Sequence, residues 1–373
     1  MKKVFIILTT IFFIILIPFF VYGEESEYKD FYEYSGIKDI ENSMNDDTKS
    51  LLETEGISID DSRWVDNLKT ENVFSHVFYF LESGMKIPVK CGASIIAVIL
   101  IAAVFKYYRK DMSTNTATKL AVTLAVISTM ASGIWSSISG AINVIKSSSS
   151  FMLSFVPAYM GILSVTGAPA TAAASGGMIL LSAEFTAAAA AFGQSAVIGA
   201  YLALSIGSAI LPDGGRASIA ETFKKAGMWA MSLCATVFLG VLGAKNAINS
   251  AADGMAIRSA KFILGTCVPV AGNALSGAVN TVSASLSVLK SSVGIYGVLA
   301  LAVMLLPVLF ELLIWRLVLL LTGGICEIFG CQEISKLLKS IDGVFALLLF
   351  AVLIVGATFI ISLSTVVSAG RGM

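Results

Sequence analysis

The run at residues 293–321 limits what this chain can fold into more than any other segment. Over those 29 residues only Glu311 and Arg316 are charged. As one helix it would be roughly 40 Å long, more than the ~30 Å hydrocarbon core of a bilayer. Similar runs lie at 87–105, 120–145 and 343–367, with a less apolar one at 227–243. In lipid every backbone N–H and C=O must bond within the protein, so such runs span as helices. Apolar residues make up 56% of the chain and charged ones 13%, against roughly 25% charged in soluble domains. A mean hydropathy of +0.85 is too high for a water-soluble fold of this size. The chain is predicted to be an all-α, polytopic membrane protein.

The charges divide the chain. Met1-Lys2-Lys3 is a short basic start, residues 4–20 are uncharged and apolar, and Gly23 precedes Glu24-Glu25. This is a secretory signal pattern over 1–23, with cleavage after Gly23; the alternative is an uncleaved anchor. Residues 24–82 then hold 16 of the chain's 25 acidic residues against five basic ones. Lys106, Arg109 and Lys110 follow the first apolar run. Basic loops stay cytoplasmic, so the acidic segment 24–86 is expected outside the cytoplasm. Within it, Leu68, Val73, Phe74, Val77, Phe78 and Leu81 recur at helical spacing, and Asp60 or Asp61 suits a cap for a helix carrying Trp64. A short extracytoplasmic helical segment that meets a partner and a solvated spacer are the two readings.

Residues 87–373 form the membrane domain. Ser128, Ser132, Ser136 and Gly140 recur every four residues, a pattern of close helix packing or of a pore lining. The stretch 151–211 divides in two ways: two spans, or one span with a re-entrant helix before it. Arg216, Lys224 and Lys225 argue that the turn at Pro212-Asp213-Gly214-Gly215 is cytoplasmic. Two ordinary spans would put it outside, so the expectations conflict. Near 262–292 an amphipathic or re-entrant helix is expected. Leu275, Val279, Val282, Leu286 and Leu289 form its apolar stripe. Asn273, Gly277, Asn280, Ala284 and Ser287 form an uncharged polar side, the candidate pore or subunit contact. Its lack of a lysine-rich face favours a packed or water-lining role over lipid-surface binding. Intramembrane acids are costly, so Glu311 joins these candidates, with Glu184 second. Arg316 is five residues beyond Glu311, on a different side of an ideal helix, and is expected to snorkel.

Catalytic constellations are missing. His76, in the exported segment, is the single histidine, so no histidine-based triad or multi-histidine metal site can be built in the membrane region. No phosphate-binding or dinucleotide motif occurs. Cys91, Cys234, Cys267, Cys326 and Cys331 lie in or beside apolar runs and read as small buried side chains. A non-enzymatic protein without cofactor, metal or nucleic-acid partner is expected.

More specific residues occur in the second half. Phe238-Leu239-Gly240, Ala252-Asp253-Gly254, Arg258, Ala260-Lys261-Phe262-Ile263, Val268-Pro269-Val270, Gly272, Leu289-Lys290 and Gly294 follow one another in order, and 362–370 reads Ser-Leu-Ser-Thr-Val-Val-Ser-Ala-Gly. With the signal pattern and acidic segment, the chain resembles the stage III sporulation protein AE family. Its last residues, Arg371-Gly372-Met373, replace a longer polar end. The resemblance implies a protein made in the mother cell and inserted in the membrane around the forespore. It implies a subunit of a channel or secretion-like complex, with other subunits encoded beside it and a forespore-made partner across the intermembrane space. Spore development after engulfment would require it. Homo-oligomerisation, a self-contained small-molecule transporter and a scaffold without a pore stay open.

Export of the acidic segment has a direct test. A cysteine at Ser58 should react with an impermeant thiol reagent in intact mother-cell protoplasts; reaction only after lysis would reverse the topology.

Overall fold

The computed structural model describes residues 44, 46–54, 57–58, 70–108, 116–165, 169–210, 215–267 and 272–369. In the membrane region side chains are described for 84–104, 120–162, 177–210, 216–244 and 293–367. The described residues are 97% helical and contain no strand. In chain order the helices are α1 (Asp46–Thr54), α2 (Thr70–Tyr108), α3 (Thr116–Val165), α4 (Pro169–Ala188), α5 (Gln194–Ile210), α6 (Arg216–Cys267), α7 (Gly272–Ile328) and α8 (Gln332–Ala369). A π-helical turn, Ala189–Gly193, joins α4 to α5. Six stretches are long and apolar enough to span: Gly84–Val104, Leu120–Ile162, Gly177–Ile210, Arg216–Ala244, Val293–Ile328 and Gln332–Val367. The protein is an integral membrane protein of all-α class.

Several expected boundaries move. The helical pattern before residue 84 is not a separate element, because α2 runs unbroken from Thr70 into the first span. Residues 151–162 belong to α3, which continues through Pro157. Beyond the end of α3, the stretch 151–211 therefore holds one helical stretch long and apolar enough to span, Gly177–Ile210. Ile127 of α3 shares a groove with Ile206 of α5, and Ser149 meets Glu184, so α3 and the α4–α5 pair run antiparallel. Arg216 then falls at the end of the bundle where α3 begins. With a single spanning stretch there, the charge of Arg216 and the helix count no longer oppose each other. The expected helix near 262–292 is likewise divided: α6 ends at Cys267, and α7 carries 272–292 directly into its span. Ser291-Ser292 supplies no helix breaker, whereas Pro269 brings no backbone donor just after α6 and disfavours helix at Val268. The capping aspartates and Trp64 lie outside the described residues, as do the leader and the side chain of His76.

Helix α8 is the axis. Of its span, 78% of residues are buried, against 17% in the α6 span. It touches α3, α4, α5, α6 and α7. A helix apolar on every side is covered on every side. Its turn from α7 is set locally. Gly330 has φ 70°, its N–H donates to Glu327 O at 3.0 Å, and the Cys331 N–H donates to Cys326 O at 2.8 Å. These two bonds satisfy the last carbonyls of α7, and the left-handed position needs glycine. Lys339 Nζ and Ser335 Oγ donate to Glu327 Oε1 at 2.6 and 2.9 Å. The lysine and glutamate are largely exposed, so this pair adds little.

Aromatic side chains fill glycine notches on α7 and α8. Phe151, Phe155 and Tyr159 form a ring ladder on α3 with centroids 5.3 and 5.8 Å apart. A Cβ on Gly297 would lie 2.5 Å from the Phe155 ring, and one on Gly343 would overlap the Tyr201 hydroxyl. At the far end Met44 and Leu52 are buried, and the Tyr296 hydroxyl donates to Met44 Sδ at 3.8 Å. Part of the acidic segment thus docks beside α7. Ser128, Ser132 and Ser136 are exposed, and nothing lies within 4 Å of a Cβ on Gly140. The stripe, read as close helix packing or a pore lining, faces out of the described bundle; Gly133 and Ser137, one residue along, make the inward contact.

Gly343→Leu should force Tyr201 from its notch and destabilise the protein by about 1–3 kcal/mol, read as a lower unfolding midpoint in detergent. Gly140→Ala should be neutral or slightly stabilising; an equal loss in both variants would remove the notch argument.

Candidate functional site

The membrane interior holds a few polar groups, each tied to a helix crossing. Around Glu311 three glycines bring the helices together. A Cβ on Gly84 of α2 would sit 3.1 Å from the Glu311 nitrogen, one on Gly92 would overlap Val318, and one on Gly133 of α3 would lie 2.8 Å from Cys91 Sγ. Close approach of this kind is how membrane helices gain contact without a hydrophobic drive. Within the crossing, Trp315 Nε1–H donates to Ser137 Oγ at 2.7 Å, and the Ser137 hydroxyl donates to Glu311 Oε1. Trp315 is fully buried and stacks on Phe345 of α8, centroids 4.8 Å apart and planes 13° from parallel. One serine thereby links α3 to α7 and, through the indole, to α8.

One turn on, Arg316 pairs with Asp342 of α8. Nε donates to Oδ1 at 2.8 Å and a terminal nitrogen to Oδ2 at 3.4 Å. The expected snorkelling is replaced by this two-point ion pair. Asp342 had no signal in the sequence beyond standing one residue before the last apolar run. The different sides occupied by Glu311 and Arg316 follow from their five-residue spacing, and each finds its own partner.

Glu184 lies inside the α4 span and accepts a hydrogen bond from Ser149 Oγ of α3. Gln194, 3% exposed, directly follows the π turn. Its Nε2 donates to Gly227 O of α6 at 2.7 Å. A Cβ on Gly227 would come within 2.9 Å of Gln194 Oε1, so the contact requires glycine there. An extra residue in the helical turn rotates the helix beyond it, and such π turns recur at functional places. Neither Gln194 nor the turn was legible in the sequence; alanines 187–191 gave no sign of it.

Of the polar-face candidates, Asn273, Gly277, Asn280, Ala284 and Ser287 lie on α7, and their side chains fall outside the described residues. Glu311 is separated from them by the span and makes its contact within the chain. Among the described residues no group of three or more His, Cys, Asp or Glu could hold a metal ion. Among the described residues Cys91, Cys234 and Cys326 carry free thiols.

These features define a polytopic helical membrane protein whose embedded polar groups fix helix–helix register. The chain belongs to the stage III sporulation protein AE family, whose model matches residues 62–370. Over 309 residues it is 25% identical to Stage III sporulation protein AE of Bacillus subtilis (strain 168), covering 80% of this chain and 75% of that one. No solved structure matches it.

If Glu311 acts through its contact with Ser137, Glu311→Gln should retain most activity and Glu311→Ala should lose it. Glutamine keeps an acceptor for the serine, whereas alanine strands Ser137 at about 1–3 kcal/mol. The measures are heat-resistant spore frequency and protein abundance in the membrane. A glutamine variant that is present but inactive would mean that ionisation itself is required.

Proposed function

We propose that this protein is a non-enzymatic membrane core subunit of a channel or secretion-like complex that links mother cell and forespore during sporulation. Membership of a stage III sporulation family supports the biological role. One observation supports a subunit over a self-contained transporter: α8 fills the axis of the described bundle with large apolar side chains. A passage therefore forms between this chain and other subunits or copies, and α7 at 272–292 is the segment proposed to border it. Its Asn273, Gly277, Asn280, Ala284 and Ser287 side would be unsatisfied in lipid and suits water or a neighbouring chain. The proposed setting is the mother-cell membrane around the forespore, with the acidic segment in the intermembrane space. The basic residues near Arg216 and the α7–α8 turn at the opposite end support that orientation. The proposed partners are the subunits encoded with it and, across the gap, a forespore-made protein.

Ala284→Trp should abolish heat-resistant spores while the protein stays in the membrane and vegetative growth is normal. Val282→Ala on the apolar stripe should give a milder, stability-type loss. Full sporulation with Ala284→Trp would reject a bordering role, and solute transport by the purified protein alone in liposomes would favour the carrier.

A further inference from the structure

The charged groups within the spans differ in how they are neutralised. Arg316 and Asp342 neutralise each other. Glu311 keeps no buried oxygen without a partner, but Glu184 does. Glu184 is the single charged residue between 177 and 210. Its Oε2 accepts from Ser149, while its Oε1 is buried without a hydrogen-bond partner. Ser148, the residue before Ser149 on α3, is wholly buried, and its hydroxyl also lacks a partner. Glu184 as a whole is half-buried, but a carboxylate with one oxygen shut off from any donor is costly within a span, and a bound cation or a proton relieves that cost.

No side chain supplies a counter-charge among the described residues. On α3, Lys146 Nζ lies 5.5 Å over the Phe192 ring and forms no ion pair with Glu184. Helix α6 runs antiparallel, with Gly227 against Gln194, so Glu184 falls level with residues around Phe238, and Cys234 and Phe238 carry no charge. Helix α8 offers Thr358 and Ser362, whose hydroxyls donate to their own helix backbone. Thr186 of α4 donates to Ser182 O. Helix α5, the π turn and residues 293–310 of α7 contain no charged residue.

We propose that Glu184, Ser148 and Ser149 form a binding site for one small monovalent cation, Na⁺ or a proton, in the seam between α3 and α4. One carboxylate balances one positive charge, and carboxylate and hydroxyl oxygens are the ligands hard cations take. The site stands whether the complex is a channel, a carrier or a scaffold, because it rests on charge neutralisation within one protomer.

The test uses full-length protein in detergent, treated with dicyclohexylcarbodiimide in Na⁺-free choline buffer and mapped by peptide mass spectrometry, with Glu184→Gln as the blank. This reagent modifies protonated carboxyls in apolar surroundings. Glu184 should be modified at pH 6. If Na⁺ is the ligand, added NaCl but not choline chloride should protect it, and Ser148→Ala or Ser149→Ala should weaken protection about tenfold. If the proton is the ligand, NaCl should have no effect, and the rate should fall about tenfold per pH unit above the titration midpoint. An infrared difference spectrum against Glu184→Gln reads the same carboxyl without reagent access. A carboxylate ionised from pH 5 to 8 and insensitive to Na⁺ overturns the proposal. So does protonation that appears only in Lys146→Met, which would make Lys146 the counter-ion.

Discussion

The bundle depends on covering one helix on all sides. Helix α8 is apolar around its whole circumference, so it gains most when protein surrounds it. That coverage needs close packing, because lipid chains are as apolar as leucine and leave only van der Waals contact and hydrogen bonds to hold helices together. The notches at Gly294, Gly297 and Gly343 provide it. Val367, Phe155 and Tyr201 fill them, which brings α3, α5, α7 and α8 to a common centre. Helix α6, exposing Trp229, Leu233 and Val237, takes the periphery.

Apolar packing alone does not choose a register, and the embedded polar groups do. Helix α3 carries two of them, Ser137 and Ser149, about 18 Å apart along the helix. The first receives a carboxylate from α7, the second one from α4. Asp342 fixes α8 against Arg316, and Gln194 fixes α5 against the α6 backbone. A slip of one residue would leave these groups unsatisfied in a medium without water, where each costs more than at a surface. Family membership and this arrangement together describe a sporulation membrane protein with a densely buried centre and a more exposed α6 side.

The sequence by itself determined the class. Apolar runs too long for a soluble core and too poor in charge for a surface allow only spanning helices, and the order from Phe238 to Gly294 carried the family. It also marked Glu184, Glu311 and Arg316, because a charge in an apolar run is visible without a structure. Tertiary structure decided their partners. Ser137, Trp315, Ser149 and Asp342 are inconspicuous at their own positions and become contacts only when helices more than a hundred residues apart, or antiparallel in a hairpin, are brought level. The division of 151–211 into helices was decided the same way. Glycine and proline in 151–177 break a helix in water more readily than in a bundle, where neighbours hold the backbone, and α3 runs through Pro157. The serine stripe shows the limit most plainly: period-four spacing identifies one face of a helix, but whether that face turns inward depends on which neighbour fits against it.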